Sequence, residues 1–327
     1  MTHFMIKKLS IQNFKSIKDL QLDCRRVNLF IGEPNVGKSN ILEAISVQAI
    51  QQTLSTEGLI RLSDFSNLFY ENDPSNKIVV KTDEMWTEIS YDKGVIDFSF
   101  FKDENFKRQW KSNFPLTSFG AQGVPWDFGI HPYYFKVLKS HPLLNFEFLS
   151  SPHGDNLFLM LQTNKVLRQL VGEFVQERGF KLNLKQANYA IEISKENGGF
   201  LTTYPYELIS DTLQRIIFYM AALETNKDGS TLLFEEPESS VFPYYTKYLA
   251  ERIAYGNVQQ FFMTTHNPYF LQSLIQKTPI DDLQINVVLM NEALQTIVKP
   301  INGIEKIEQM IDLDSSVFLN LDKLIDE

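Results

Sequence analysis

Two glycines, a lysine and a serine at the spacing Gly32-x-x-x-x-Gly37-Lys38-Ser39 are the residues of this chain best suited to hold phosphate. Gly32 and Gly37 permit backbone conformations that turn successive N–H groups inward, and they present no Cβ where an anion must approach. A helix starting near Lys38 would aim its unpaired N–H groups and positive dipole end at the same anion. Lys38 supplies a mobile charge for the β- and γ-phosphates, and the Ser39 hydroxyl is a ligand for Mg²⁺. The expected binding segment runs through Gly32, Glu33, Pro34, Asn35, Val36, Gly37, Lys38, Ser39 and Asn40. These residues imply a nucleoside triphosphate as ligand.

A triphosphate site also needs partners for the metal and for an attacking water. The run Thr231-Leu232-Leu233-Phe234 ends in Glu235-Glu236, so an apolar strand delivers two carboxylates at its C-terminal end. Glu235 is expected to orient Mg²⁺ and Glu236 to accept a proton from water. A second apolar run, Gln260–Thr264, leads into Thr265-His266-Asn267-Pro268. His266 at that strand end is placed to hydrogen-bond the γ-phosphate. His3, His131, His141 and His153 lack such placement and read as surface or packing residues.

The elements that must carry these groups follow from hydrophobic spacing. Residues 4–31 alternate as strands, closing in the run Val27–Ile31 before the glycine loop. Ser39 to about Thr53, Asn156–Arg178, Ser210–Glu224, a segment from Pro243, and Pro268–Gln276 have helical periodicity. Ile78–Val80 and Thr87–Phe101 read as antiparallel strands turning at Asp92-Lys93-Gly94, and Tyr189–Ser194 and Ile285–Met290 as further strands. Residues 102–155 show no periodicity. Continuous apolar strands alternating with helices predict an α/β fold with a largely parallel sheet covered on both faces, joined to antiparallel material.

Composition narrows the class. The chain has 327 residues, 43% of them apolar, enough for a large buried core. No apolar run spans a bilayer and no secretory leader is apparent, so a cytoplasmic location without membrane contact is expected. Cys24 stands alone, which excludes an intramolecular disulfide and a cysteine-built zinc site. A net charge of −9 argues against general coating of nucleic acid.

Four stretches carry a family likeness: Ile11-Gln12-Asn13-Phe14-Lys15-Ser16-Ile17-Lys18, the loop GEPNVGKSN, EEPE at 235–238 and TTHNP at 264–268. Together they resemble the heads of ABC-type ATPases, in the RecF/SMC-related, OLD-type branch that includes bacterial anti-phage proteins. The resemblance implies a P-loop NTPase fold, ATP and Mg²⁺ as cofactors, and one head across 1–327. Within it lie an N-terminal β and phosphate-loop lobe (1–80), an inserted aromatic-rich lobe (81–205), and a lobe carrying signature, acids and histidine (206–327). It also aligns Ile209–Arg215 with the signature segment, so that Ser210 would reach the γ-phosphate of a second copy in an ATP-bound homodimer. Thr212 stands where that signature usually has glycine, Glu235 where aspartate is common, and Ser240 and Phe242 where histidines are frequent. The γ-phosphate-linking glutamine loop has no clear counterpart; Phe65–Tyr70 is the expected region.

There is no long heptad run, hence no SMC-style arm. The residues after His266 are too few for the nuclease domain that OLD-type proteins append, and Asp312-Leu313-Asp314 reads as acidic surface rather than a metal site. The leading functional expectation is therefore an ATP-gated dimer controlling a separate effector, a nuclease or toxin, in anti-phage defence. The alternatives are a DNA repair or recombination ATPase that grips nucleic acid itself, and a nucleotide-binding scaffold that scarcely hydrolyses ATP. The segment Phe100–Phe114, with Lys102, Lys107, Arg108, Trp110 and Lys111, is the candidate surface for nucleic acid or a partner protein.

Overall fold

The structure is a computed structural model of the chain that describes residues 5–50, 56–102, 106–113, 129–142, 146–256 and 259–325. At its centre is a six-stranded sheet built from β3 (Val27–Ile31), β8 (Ile130–Tyr133), β12 (Thr231–Glu235), β13 (Gln260–Thr264), β14 (Leu283–Met290) and β15 (Thr296–Ile301). Its order is β15-β14-β3-β13-β12-β8, parallel throughout except for the antiparallel edge strand β15. Side chains along each central strand sort alternately to two cores, as the pleat requires. Phe30, Leu233 and Phe262 face one; Leu29, Phe234, Phe261 and Met263 face the other.

The first core is closed by helix α1 (Lys38–Ser46) and a second, antiparallel sheet. That sheet comprises β1 (Lys8–Phe14), β2 (Ile17–Asp23), β4 (Ile78–Lys81), β5 (Met85–Asp92), β6 (Val95–Lys102) and β7 (Phe106–Asn113), in the order β2-β1-β4-β5-β6-β7. The second core is closed by α2 (Leu157–Thr163), α3 (Lys165–Gln176), α4 (Asp211–Thr225), α5 (Pro243–Tyr255) and α6 (Pro268–Lys277). A small sheet, β9 (Lys181–Lys185), β10 (Ala190–Asn197) and β11 (Phe200–Pro205), precedes α4; α7 (Ile304–Leu313) and α8 (Leu321–Ile325) follow β15. The mixed α/β architecture agrees with expectation.

Several elements differ from the sequence reading. Asn156–Arg178 is two helices, because Asn164 leaves the helical region and its side chain accepts a hydrogen bond from Leu167 N, capping α3. The first helix ends at Ser46 and passes into a 3₁₀ turn at Val47–Ala49; residues 51–53 of its expected span fall outside the described residues. Among the described residues of the aperiodic stretch 102–155 are the strands β7 and β8. β8 includes Pro132 and sits at the sheet edge, where a missing N–H is tolerated. Within Phe100–Phe114, Phe100 and Trp110 pack edge to face in the first core, and Lys111 pairs with Asp97 at 3.6 Å. Phe100 and Trp110 of the expected recognition surface are therefore interior; Phe114 and the Phe106 and Lys107 side chains lie outside the described residues. His131 and His141 are buried packing residues, and His3 lies outside the described residues. No helix among the described residues is long and apolar enough to cross a membrane.

Candidate nucleotide site

Strand register assembles the site. Glu235 at the end of β12 stands opposite Thr264 of β13, and Thr264 stands opposite Phe30 of β3, two residues before Gly32 opens the glycine loop. Three chain crossings thus emerge side by side at the C-terminal edge of the parallel strands, where ligands of such sheets bind. The result is a cavity of about 670 Å³ lined by Lys38, Ser39, Glu235, Glu236 and His266, together with Pro34, Asn35, Gly37 and Asn40 of the loop. Gly32, Glu33 and Val36 belong to the same loop without lining the cavity.

The loop has the conformation its glycines allow. Gly37 has φ +99°, and a Cβ there would lie 2.0 Å from Thr296 Oγ1; a Cβ on Gly32 would lie 2.3 Å from the Val288 carbonyl oxygen. Both positions exclude any other residue. Helix α1 begins at Lys38 with Gly37 as its cap and no side-chain capping bond, so its first N–H groups are left for an anion. Lys38 is 5% exposed, and its ammonium donates to the carbonyls of Gly32 (3.0 Å) and Glu33 (2.6 Å). Burial lowers its pKa to about 8, against the opposing pull of Glu236, Glu235 and Glu33.

The two strand-end loops are fastened together. Glu236 has φ +42°, and its N–H donates to Thr264 at 3.2 Å. Its Oε1 is 3.3 Å from His266 Nε2. Burial and the Lys38 charge hold the His266 pKa below its ordinary value, outweighing Glu236. Beneath them Glu238 is 3% exposed; its Oε1 accepts from Thr265 Oγ1 at 2.5 Å, while its Oε2 has no hydrogen-bond partner among the described residues. Burial raises this carboxyl to about 7.

Three further side chains line the cavity that the sequence reading did not single out: Arg61, Arg215 and Ser239. Arg61 Nε donates to Glu43 Oε1 at 2.6 Å, and its Nη2 lies 3.6 Å from Glu235 Oε1. Glu43, buried on α1, also takes the Lys15 ammonium. Arg215 reaches the cavity from α4, its guanidinium 4.5 Å above the Phe135 ring. Arg215 closes the segment that the resemblance aligns with the signature, though only Ser210 is singled out there; nothing in the spacing around Arg61 ties it to a phosphate.

Ser210 does not line its own chain's cavity. It is exposed at the N-cap of α4, where its Oγ accepts from Leu213 N at 3.3 Å. Thr212 Oγ1 donates to the Ser240 carbonyl at 3.0 Å, joining the start of α4 to the loop after Glu238. Phe65–Tyr70 contains no glutamine and borders a neighbouring cavity through Asn67, Phe69 and Tyr70.

The donor set suits Mg²⁺ held mainly by phosphate oxygens. A serine hydroxyl and a carboxylate share the cavity, and no group of three or more His, Cys, Asp or Glu able to cage a metal occurs among the described residues. Mg²⁺ typically takes one or two protein oxygens plus substrate phosphates.

Parallel strands with a glycine loop, two strand-end acids and an antiparallel sheet packed on α1 define a P-loop NTPase of the ABC-type head class. The family model described as AAA ATPase domain matches residues 5–197, more than half of the sequence, and the chain belongs to that family. Solved structures of this fold include an SMC head bound to the C-terminal winged-helix domain of ScpA. It is 15% identical, the match covers 93% of this chain and 100% of that one, and the TM-score is 0.55. An SMC head with an extended coiled coil, bound to the C-terminal domain of ScpA from Pyrococcus furiosus, is 14% identical over 94% of this chain and 98% of that one, with a TM-score of 0.51. At these identities the likeness establishes fold. No curated protein matches this chain at a significant level.

Proposed function

We propose that this chain binds and hydrolyses Mg·ATP, and that two copies close around ATP to control a separate effector. The observation that carries the reading is the one-sided cavity: Lys38, Ser39, Glu235, Glu236 and His266 come together on a single chain, whereas Ser210 stands exposed elsewhere on it. Lys38 and the N-terminus of α1 hold the phosphates, and Ser39 and Glu235 provide oxygens for Mg²⁺. When bound, the metal neutralises phosphate charge. Glu236 takes the proton of the attacking water, with His266 beside it at the γ-phosphate end. A second copy supplies Ser210 to the uncovered face.

Control of a nuclease or toxin in anti-phage defence rests on the resemblance of the loop, EEPE and TTHNP motifs. That SMC heads of the same fold are described with a bound ScpA domain supports a partner protein. A chain that grips nucleic acid itself is the alternative reading; Lys102 and Arg108 on the antiparallel sheet favour it, and interior Phe100 and Trp110 weaken it.

The experiment is ATP binding by the chain and by Lys38→Ala. Removing a charge-assisted contact to two phosphates is expected to weaken ATP by about 100-fold or more. Near-normal affinity in folded Lys38→Ala would contradict the assignment. Pull-down from the native host, with and without ATP, then separates a protein effector from bound nucleic acid.

A further inference from the structure

The phosphate loop is held from behind by a chain of side-chain hydrogen bonds that begins and ends in the loop region itself. Asn40 Nδ2 donates to Ser16 Oγ at 2.7 Å; Ser16 Oγ and Thr296 Oγ1 lie 2.6 Å apart; Thr296 Oγ1 donates to the Val36 carbonyl at 2.9 Å. A hydroxyl has one proton to give. Since Thr296 spends its proton on Val36, the Ser16 proton goes to Thr296, and the four groups form one directed chain.

Its members come from three distant places. Ser16 is in the β1–β2 turn, Thr296 is at the start of β15, and Val36 and Asn40 flank Gly37-Lys38. The backbone repeats the link, because Thr296 N donates to the Ser16 carbonyl at 2.9 Å. Thr296 is 1% exposed, so its hydroxyl has no exchange with bulk water to fall back on. The fit is close on the backbone side as well, since the Thr296 hydroxyl occupies the space that a Cβ on Gly37 would need.

We propose that Thr296, acting with Ser16, is a positioning residue for phosphate binding: its hydroxyl fixes the Val36–Gly37 peptide and thereby the direction of the loop N–H groups and of Lys38. The inference rests on the reading of Gly32–Asn40 as the phosphate site. Phosphate affinity then depends on the β14–β15 hairpin, whose outer turn, Asn291–Gln295, also reaches the antiparallel-sheet side through Gln295 Nε2 and Tyr70 Oη at 3.1 Å.

The test measures dissociation constants for ATP and for inorganic tripolyphosphate, alongside thermal unfolding, in wild type, Thr296→Val, Thr296→Ser and Ser16→Ala. Thr296→Val keeps side-chain shape and removes the hydroxyl. Both ligands should bind it about tenfold more weakly, the effect of a buried carbonyl left without its donor. Thr296→Ser should stay within about threefold of wild type, and Ser16→Ala should fall between the two. If Thr296→Val folds poorly, Ser16→Ala carries the test, because the Ser16 side chain is only partly buried. Wild-type affinity in both Thr296→Val and Ser16→Ala, or equal losses in Thr296→Val and Thr296→Ser, would overturn the proposal. A wild-type chain that binds neither ligand would instead remove the phosphate-site reading beneath it.

Discussion

The Glu236 carboxylate and the His266 imidazole lie 3.3 Å apart, Oε1 to Nε2, at the ends of adjacent parallel strands. The contact couples a carboxylate able to take a proton with an imidazole whose pKa burial and Lys38 hold below the ordinary histidine value. At neutral pH the imidazole is therefore uncharged, and it can hydrogen-bond without neutralising Glu236.

From this follows the behaviour of Glu236→Gln. If Glu236 takes the water's proton as proposed, the variant should keep ATP binding while hydrolysis slows by ~10²-fold or more. Single-turnover hydrolysis beside an ATP-binding measurement checks it. Normal turnover in Glu236→Gln with loss in Glu235→Gln would reverse the two roles.

Arg61 bridges two acids from different elements, Glu43 on α1 and Glu235 on β12. Glu43 is buried, receives Lys15 as well and meets Arg61 at 2.6 Å, whereas Glu235 is more exposed and 3.6 Å away, so Arg61 pairs less strongly with Glu235. Glu43→Gln should cost about 2 kcal/mol of folding stability, as a buried hydrogen-bonded charge is lost. It should also weaken triphosphate binding by freeing Arg61. Denaturant unfolding and ATP titration of the same variant separate the two effects. An unchanged midpoint would show that Lys15 and Arg61 find water as good a partner.

The parts of this site that could be read in sequence are those carried by short-range pattern. Val27–Ile31, Thr231–Phe234 and Gln260–Met263 are apolar runs with functional groups immediately after them, so Lys38, Glu235, Glu236 and His266 could be named from position alone. The strand order β3-β13-β12, which sets them beside one another, is a tertiary fact with no local signal. Arg61 follows Gly58-Leu59-Ile60 in a loop without periodicity, and Thr296 acts on a residue 260 positions away. β8 is four residues long and includes His131 and Pro132, so neither alternation nor β-propensity marks it. Asn164 ended a helix that periodicity alone carried through, because its cap is set by its side chain.

Glu238 makes stability depend on pH. Burial raises its folded pKa to about 7 from an ordinary 4.5, so the folded state holds this proton more tightly than the unfolded state. Its contribution is complete below about pH 4.5 and is lost as pH rises through about 7. The groups facing it are Thr265, which donates to it, the neighbouring Glu236 carboxylate, which raises its pKa further, and the backbone at His266. Glu238→Gln mimics the protonated acid and should match wild type near pH 5. At pH 8 it should be more stable than wild type, by about 3 kcal/mol. Urea unfolding at the two pH values measures the difference directly. Parallel pH profiles for the two proteins would mean that Glu238 stays protonated, or is solvated, at both.

Dimer closure can be tested through the residue that the cavity leaves out. Ser210 caps α4 on the surface, with Leu208 71% exposed just before it and Phe242 65% exposed in the loop that Thr212 fastens to α4. A serine hydroxyl and a helix N-terminus flanked by two exposed apolar side chains form a surface suited to an anion and to a second protein surface together. If ATP occupies that joint, nucleotide and partner copy strengthen each other reciprocally. ATP should therefore drive Glu236→Gln from monomer to dimer, and ADP should not. Ser210→Arg should block dimer formation through bulk and charge at the cap. Its own cavity should still bind ATP, because Ser210 is not among the residues that line it. Mixing chains that carry both Ser210→Arg and Glu236→Gln with chains that carry Glu236→Gln alone gives the decisive case. A mixed dimer keeps one unobstructed composite site, so partial dimerisation should return if Ser210 acts across the interface. Light scattering with ATP, ADP and no nucleotide reads each state as a mass. A mass that ignores nucleotide in Glu236→Gln would contradict closure around ATP, and a Ser210→Arg chain that dimerises normally would move the interface elsewhere.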